Sequence, residues 1–249
     1  LLKWVFEKSG LEIEAYRSPA LDRRLPACLR LLRVPTTEHA RDLLERRPDL
    51  IPRVLGAILI GVSDFFRDAP VFAEIERHVL PRLLAERERV RVCSLGCSGG
   101  QELYSVAMLV AEAGALDRVD FLGLDRRPEA VWRAARGRFA PTEVACLQPE
   151  RLARFFEPDG TGWRARPDFA ARLRWQAGDL LQPLTEAPWD LVLCRNVLIY
   201  LRPERSAAVW ETLRAALLPG GYLITGKAEK APPGLPLRRL APSIYRRAA

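Results

Sequence analysis

Several short segments of this chain combine residue types that could do chemistry. Gly96-Cys97-Ser98-Gly99-Gly100-Gln101-Glu102 reads as a glycine turn that closes one apolar strand and opens a helix. Asp125 stands at the tip of the next apolar run, Val119-Asp120-Phe121-Leu122-Gly123-Leu124. Arg195, Asn196 and Tyr200 follow a third apolar run that ends at Cys194, and Ser63-Asp64-Phe65-Phe66-Arg67 precedes them all. A glycine turn lets the backbone approach a ligand, and an acid at the end of the second strand bonds the hydroxyls of a ribose. The pair therefore predicts an adenosine site. A dinucleotide would want glycines spaced G-x-G-x-x-G, with its pyrophosphate on the helix N-terminus. Here the spacing differs, and Glu102 in the first helical turn repels a phosphate while suiting an ammonium. An adenosine that carries an amino-acid tail and no phosphate, as in S-adenosylmethionine, satisfies both conditions. No Gly-Lys-Ser or Gly-Lys-Thr phosphate loop occurs, which argues against a nucleotide triphosphatase.

The elements needed to position these residues are legible as periodicity. Strands are predicted at Val90–Leu95, Val119–Leu124, Leu173–Ala177, Leu191–Cys194 and Tyr222–Gly226, the last after a Pro219-Gly220-Gly221 turn. Helices are predicted at Gln101–Ala113, Pro128–Arg136 and Pro203–Leu217, and a closing antiparallel pair at Leu237–Leu240 and Ile244–Arg247. Such alternation specifies a doubly wound parallel sheet, a Rossmann-like α/β fold. Residues 1–62 read as an all-helical domain and 63–249 as the cofactor-binding domain. Within the first, helices fall at Leu1–Lys8, at Leu21–Leu32, at Glu38–Arg46 behind a Thr37 cap, and at Leu50–Leu59, closed by Gly61. A helix over Pro70–Glu86 should be kinked or divided by Pro81. The alternation breaks at about 141–172, where a helix at Gln148–Phe156 and a turn at Pro158–Gly162 predict an inserted subdomain with a small β-hairpin.

The chain of 249 residues can bury one sizeable core plus a small extra domain. No apolar run approaches the roughly 18 residues needed to span a bilayer. The first residues carry no charged leader before a hydrophobic stretch, so a cytoplasmic location is expected. The five cysteines are odd in number and have no histidine nearby, so reduced structural thiols and no metal are expected. The net charge of +8 permits nucleic acid, anionic lipid or an acidic protein as partner. No aromatic-interleaved basic ribbon accompanies it, which sets nucleic acid aside. Taken alone, Phe65-Phe66-Arg67 reads as a core aromatic pair with a snorkelling arginine.

Taken together, these segments resemble the chemotaxis receptor methyltransferases, the CheR-type protein-glutamate O-methyltransferases, over nearly the whole chain. The resemblance rests on Ser63-Asp64-Phe65-Phe66-Arg67, Gly100-Gln101-Glu102-Leu103-Tyr104-Ser105, Asp125-Arg126-Arg127 and, above all, Cys194-Arg195-Asn196-Val197-Leu198-Ile199-Tyr200. It implies a class I S-adenosylmethionine-dependent methyltransferase fold, with S-adenosylhomocysteine as product. By resemblance, Ser63 and Arg67 contact the cofactor and Glu102 holds its amino group, while the glycine turn sets Gly96 against the same cofactor. Asp125 takes the ribose, Asp179 and Leu180 line the adenine pocket, and Arg195 and Asn196 border the methionyl end. Arg67 and Tyr200 would aim the accepting carboxylate, with Tyr200 near the transferable methyl. Departures from the family pattern include Ser63 for threonine, Arg127 for a second acid, Asp179 for asparagine and Leu103 for proline. Gly226-Lys227-Ala228-Glu229 stands for Gly-x-Ser-Glu, and Gly61 stands where some members have a cofactor-touching asparagine.

The implied reaction makes glutamyl methyl esters on a chemoreceptor-like protein. The implied partner is that protein's acidic helical cytoplasmic region, met by a basic face on the N-terminal domain, with no membrane insertion and a monomeric enzyme. On a helix over Leu21–Leu32, Leu21, Leu25, Leu29 and Leu32 share one face and Arg23 and Arg30 the other, with Arg33 at the flank. If Pro26 marks the first turn, Arg23 falls outside that helix. A methyltransferase acting on a small molecule and a catalytically idle cofactor-binding scaffold are the competing readings.

Overall fold

The computed structural model describes residues 1–59, 63–182, 184, 186 and 188–248. Gly61, with its expected roles as helix stop and cofactor neighbour, lies outside the described residues. Contacts divide the chain into two units: residues 1–61 with 198–207, and residues 62–197 with 208–249.

The first unit is helical at Leu2–Lys8, Ser18–Asp22, Leu25–Leu32, Thr37–Arg46 and Ile51–Ile58. Its core is Val5, Phe6, Leu21, Cys28, Ala40, Leu44, Val54 and Ile58, all buried. The expected helix over Leu21–Leu32 is two helices, because Pro26 sits in the first turn of the second. Arg23 therefore lies before that helix and the basic stripe shortens to Arg30 and Arg33, both exposed. The N-cap of the next helix is Thr36, not Thr37: Thr36 has extended backbone and its hydroxyl accepts from the His39 N–H at 3.4 Å. Segment 198–207 joins this unit through a bridge between Tyr16 and Leu201 and through the Arg17 N–H, which donates to the Tyr200 carbonyl at 2.9 Å.

The second unit is built on a seven-stranded sheet. Its strands are β1 (Val90–Leu95), β2 (Val119–Asp125), β6 (Leu173–Ala177), β7 (Trp189–Cys194), β8 (Leu217–Thr225), β9 (Leu237–Ala241) and β10 (Ile244–Arg247). Strands β3 (Arg138–Phe139), β4 (Phe156–Asp159) and β5 (Gly162–Ala165) form a separate small sheet. The main order is β6-β2-β1-β7-β8-β10-β9. Pairs β6–β2, β2–β1, β1–β7 and β7–β8 are parallel, while β10 runs antiparallel between β8 and β9. The order reverses at β1, so the crevice between the carboxyl ends of β1 and β7 is the topological switch point. Strands β1 and β7 read as near-continuous apolar runs because both of their faces are covered.

Pro219-Gly220-Gly221 proves to be an irregularity inside β8 and not a turn before it. Leu217 already pairs with Trp189, and the register then slips so that Tyr222 pairs with Leu191. The inserted subdomain begins slightly earlier than 141, because β3 pairs with β5. Phe65 closes this sheet onto the core, edge-on to Phe139 at 4.9 Å and to Phe156 at 5.5 Å. Helix 69–86 runs through Pro81 without dividing. A π-helical turn at Ile75–Val79 widens the coil just before the proline, which removes a donor and would crowd a normal α-turn.

Trp175 of β6 packs against its β2 neighbour Gly123, where a methyl group would stand 2.3 Å from the indole ring. Gly123→Ala is expected to cost about 1–3 kcal/mol through overpacking, read as a lower urea midpoint. An unchanged midpoint would mean that the indole moves aside freely.

Candidate functional site

The glycine turn is folded back onto the tip of β2. The N–H groups of Gly96 and Cys97 both donate to the Leu124 carbonyl, at 2.7 and 3.0 Å. The Ser98 N–H donates to Asp125 Oδ2 at 2.9 Å. Gly96 has φ +71°, and a Cβ there would meet Val197 Cγ2 at 2.6 Å, so both backbone angle and space demand glycine. Cys97 is buried in the turn, and burial, then the nearby Asp125 charge, pushes its thiol well up. It is no nucleophile.

Glu102, in the first turn of helix Gln101–Glu112, is buried. Its Oε1 accepts from Ser94 Oγ at 2.8 Å and its Oε2 from Arg195 Nη1 at 3.2 Å. Burial pushes its carboxyl up, and the charge of Arg195 and the hydrogen bonds from Ser94 and Arg195 pull it back. Arg195, expected to border a ligand, is a buried cation with internal partners. Its Nη2 donates to the Arg67 carbonyl at 2.7 Å and to Asp68 Oδ2 at 2.8 Å, and its guanidinium lies over the Phe72 ring at 5.3 Å. Lys227 Nζ meets the other oxygen of Asp68 at 3.1 Å. Charges thus alternate from Glu102 through Arg195 and Asp68 to Lys227.

Asp125 is buried at the tip of β2, where Arg127 pairs with it at 3.1 Å. Across the sheet, the Gly178 N–H donates to the Asp125 carbonyl at 3.0 Å, which brings Asp179 and the buried Leu180 to the same edge. Asp179 accepts from the Leu181 N–H at 2.9 Å and pairs with Arg126 at 3.2 Å. Gly96, Glu102, Asp125, Asp179, Leu180, Arg195, Asn196 and the Arg67 backbone thus lie along the carboxyl ends of β1, β2, β6 and β7. In Phe65-Phe66-Arg67, Phe65 is buried and Phe66 packs half-buried against the core, as the aromatic-pair reading expects. The Arg67 side chain is exposed, with its backbone accepting from Arg195. Ser63 is half-buried. Tyr200 is half-buried in a 3₁₀ turn, Leu198–Tyr200, of the helical unit.

Sequence reasoning gave Glu229 no role. Its buried carboxylate accepts from the backbone N–H groups of Asn196 at 2.8 Å, Val197 at 2.7 Å and Gly226 at 2.7 Å. It clamps the loop after β7 to the loop after β8 and holds Asn196 in a left-handed conformation, φ +59°. The signal was present, since an acid three residues past a strand-terminal glycine suits such a clamp. Only the spatial approach of the two loops gives it a purpose.

These side chains suit an adenosine with an amino-acid tail. Acids stand at the tips of β2 and β6, an apolar Leu180 lies beside them, and a buried carboxylate stands where a pyrophosphate would need donors. Residues 61–237 match the family model described as the CheR methyltransferase, SAM binding domain. The chain is 30% identical over 222 residues to the chemotaxis protein methyltransferase of Listeria monocytogenes, covering 89% of this chain and 85% of that one. It is 32% identical over 203 residues to chemotaxis protein methyltransferase 1 of Pseudomonas aeruginosa, covering 77% and 74%. Among solved structures, the N-methyltransferase NodS from Bradyrhizobium japonicum, in complex with S-adenosyl-l-homocysteine, is 20% identical over 63% of this chain and 61% of that one, with a TM-score of 0.37.

Removing the Glu229 clamp should be costly. Glu229→Ala leaves three backbone donors without their acceptor, and at about 1–3 kcal/mol for each unsatisfied buried group the loss should reach about 3 kcal/mol. Glu229→Gln should help little, because an amide N–H₂ would then face a backbone N–H. Urea denaturation measures both, and a loss below about 1 kcal/mol for the alanine variant would show that the N–H groups find water instead.

Proposed function

The chain belongs to the CheR methyltransferase family and uses S-adenosylmethionine as methyl donor, and on that premise we propose that it esterifies glutamate side chains of a chemoreceptor-like protein. The observation that carries this reading is the match to that family over residues 61–237. Bound S-adenosylmethionine supplies a methyl group on a positively charged sulfur. In this reading Asp125 accepts the ribose hydroxyls, Asp179 and Leu180 flank the adenine, and Glu102 meets the amino group. Ser63, Gly96 and Asn196 shape the same pocket. Arg195 acts as a positioning residue that keeps Glu102 aimed, and Glu229 fixes the loop that carries Asn196.

The acceptor needs no general base, because a glutamate side chain is already ionised at neutral pH. What the chain must supply is alignment of that anion in line with the methyl group. Arg67, whose side chain is exposed, and Tyr200 are the candidates for this task. As the methyl moves, the anion and the cation cancel, so excluding water favours the transition state. His78 is exposed beside Glu74 and has no part in this scheme.

The partner is proposed to be the acidic helical cytoplasmic region of the receptor, met by Arg30 and Arg33 of the helical unit, with the enzyme acting as a cytoplasmic monomer. No described helix is long and apolar enough to cross a membrane.

The direct test is incubation with methyl-labelled S-adenosylmethionine and a receptor cytoplasmic fragment. Label should enter the fragment and leave as methanol in alkali, the signature of an ester. Alkali-stable label, or transfer only to small molecules, would replace this reading with another acceptor. Binding of S-adenosylhomocysteine without any transfer would leave a cofactor-binding scaffold. Reversing Arg30 and Arg33 to Glu should slow receptor methylation at low ionic strength, and the difference should shrink as salt shortens the Debye length below about 10 Å. Equal rates at all salt concentrations would return the stripe to ordinary surface.

A further inference from the structure

The carboxylate of Asp125 is saturated. Oδ2 accepts from the Ser98 N–H at 2.9 Å and from Arg127 Nη2 at 3.3 Å. Oδ1 accepts from the Arg127 N–H at 2.9 Å and from Arg127 Nε at 3.1 Å. A carboxylate offers about four acceptor positions, so none remains for a ribose. The contacts are of two kinds. The backbone donors belong to the glycine turn and to the start of helix Pro128–Arg136, and they hold the acid in place. The Nε–Nη2 fork belongs to a side chain with rotatable bonds. It presents two donors side by side, the pattern that a vicinal diol also presents.

We propose that Arg127 is an internal competitor of the cofactor ribose: its guanidinium occupies the two acceptor positions of Asp125 that the ribose hydroxyls need, and it must swing away before the cofactor seats. The proposal rests on the reading of Asp125 as the ribose acceptor. A second observation supplies the place to which Arg127 goes. Glu129 Oε1 is buried without a hydrogen-bond partner among the described residues, although a buried acceptor normally has one. The Glu129 charge already acts on Arg127. A guanidinium released from Asp125 satisfies that orphaned oxygen. Cofactor binding is then an exchange of one ion pair for another, and affinity is set by the difference between them.

The test titrates the full chain with S-adenosylhomocysteine by calorimetry. Arg127→Met keeps the aliphatic stem and removes both donors. It should bind about tenfold tighter or more, because hydrogen bonds to a charged group no longer have to be broken. The ligand-free variant should melt lower than the wild type, since Asp125 loses its counter-charge, and should gain more from added ligand. Glu129→Gln should weaken binding in the wild type and have no effect beside Arg127→Met. If Arg127→Met does not fold, Arg127→Lys, whose ammonium lacks the side-by-side fork, should tighten binding to a lesser degree. Unchanged or weaker binding by the arginine variants, with Asp125→Ala still weakening it, overturns the competitor and leaves the ribose reading standing. If Asp125→Ala has no effect even beside Arg127→Met, the ribose reading itself fails.

Discussion

The buried guanidinium of Arg195 is the interaction on which the site depends. Its side chain is 2% exposed and contacts Glu102 on one side and Asp68 on the other. A cation withdrawn from water to this degree persists because two carboxylates offset its charge, even though its Nε is buried without a hydrogen-bond partner among the described residues, and removing one partner of such a pair typically costs about 3–5 kcal/mol. Three pieces of chain are therefore obliged to converge on it: the turn before helix 69–86, the first turn of helix Gln101–Glu112, and the end of β7. The strain at Phe66 and Asp68, both in left-handed backbone at φ +52° and +61°, is held in place by this convergence.

Carboxylates do most of the remaining positioning, and they do it by accepting from backbone N–H groups. Glu229 takes the loops after β7 and β8, Asp125 takes the glycine turn and the next helix start, and Asp179 takes its own turn. Asp190 does the same at the other end of the sheet, accepting from the Arg91 N–H at 2.9 Å. Loops at strand tips lack ladder partners, and a charged acceptor satisfies several of their donors at once. The consequence for function is a shared resource. An acid that holds a loop and also meets a ligand must divide its lone pairs, and Asp125 is where that division is tightest.

Much of this protein was legible in its sequence. The runs at Val90–Leu95, Pro128–Arg136 and Leu173–Ala177 are observed with the same bounds, because burial on both sheet faces and a proline-led helix start leave clear local marks. The glycine turn, Asp125 and the Arg195-Asn196 pair could be assigned to the sheet's carboxyl edge from alternation alone. Local interactions corrected the details. Thr36 caps where Thr37 was expected, and a π-helical turn absorbs Pro81 within a continuous helix.

Tertiary structure decided what each site residue is free to do. Sequence spacing puts Arg195 just past a strand and Glu102 in the first turn of a helix, but only folding buries them against each other and makes one the other's support. It likewise makes Glu229 a clamp, places Phe65 in an aromatic cluster with the inserted sheet, and sets Arg127 across the acceptor positions of Asp125. It also groups residues 198–207, with Tyr200, with the helical unit. The division has a physical reason. Strands, helices and turns are specified by neighbours within a few residues, whereas the assignment of a carboxylate's lone pairs is a competition among donors brought together from distant parts of the chain. Its outcome depends on distances and burial that exist only after the chain has folded.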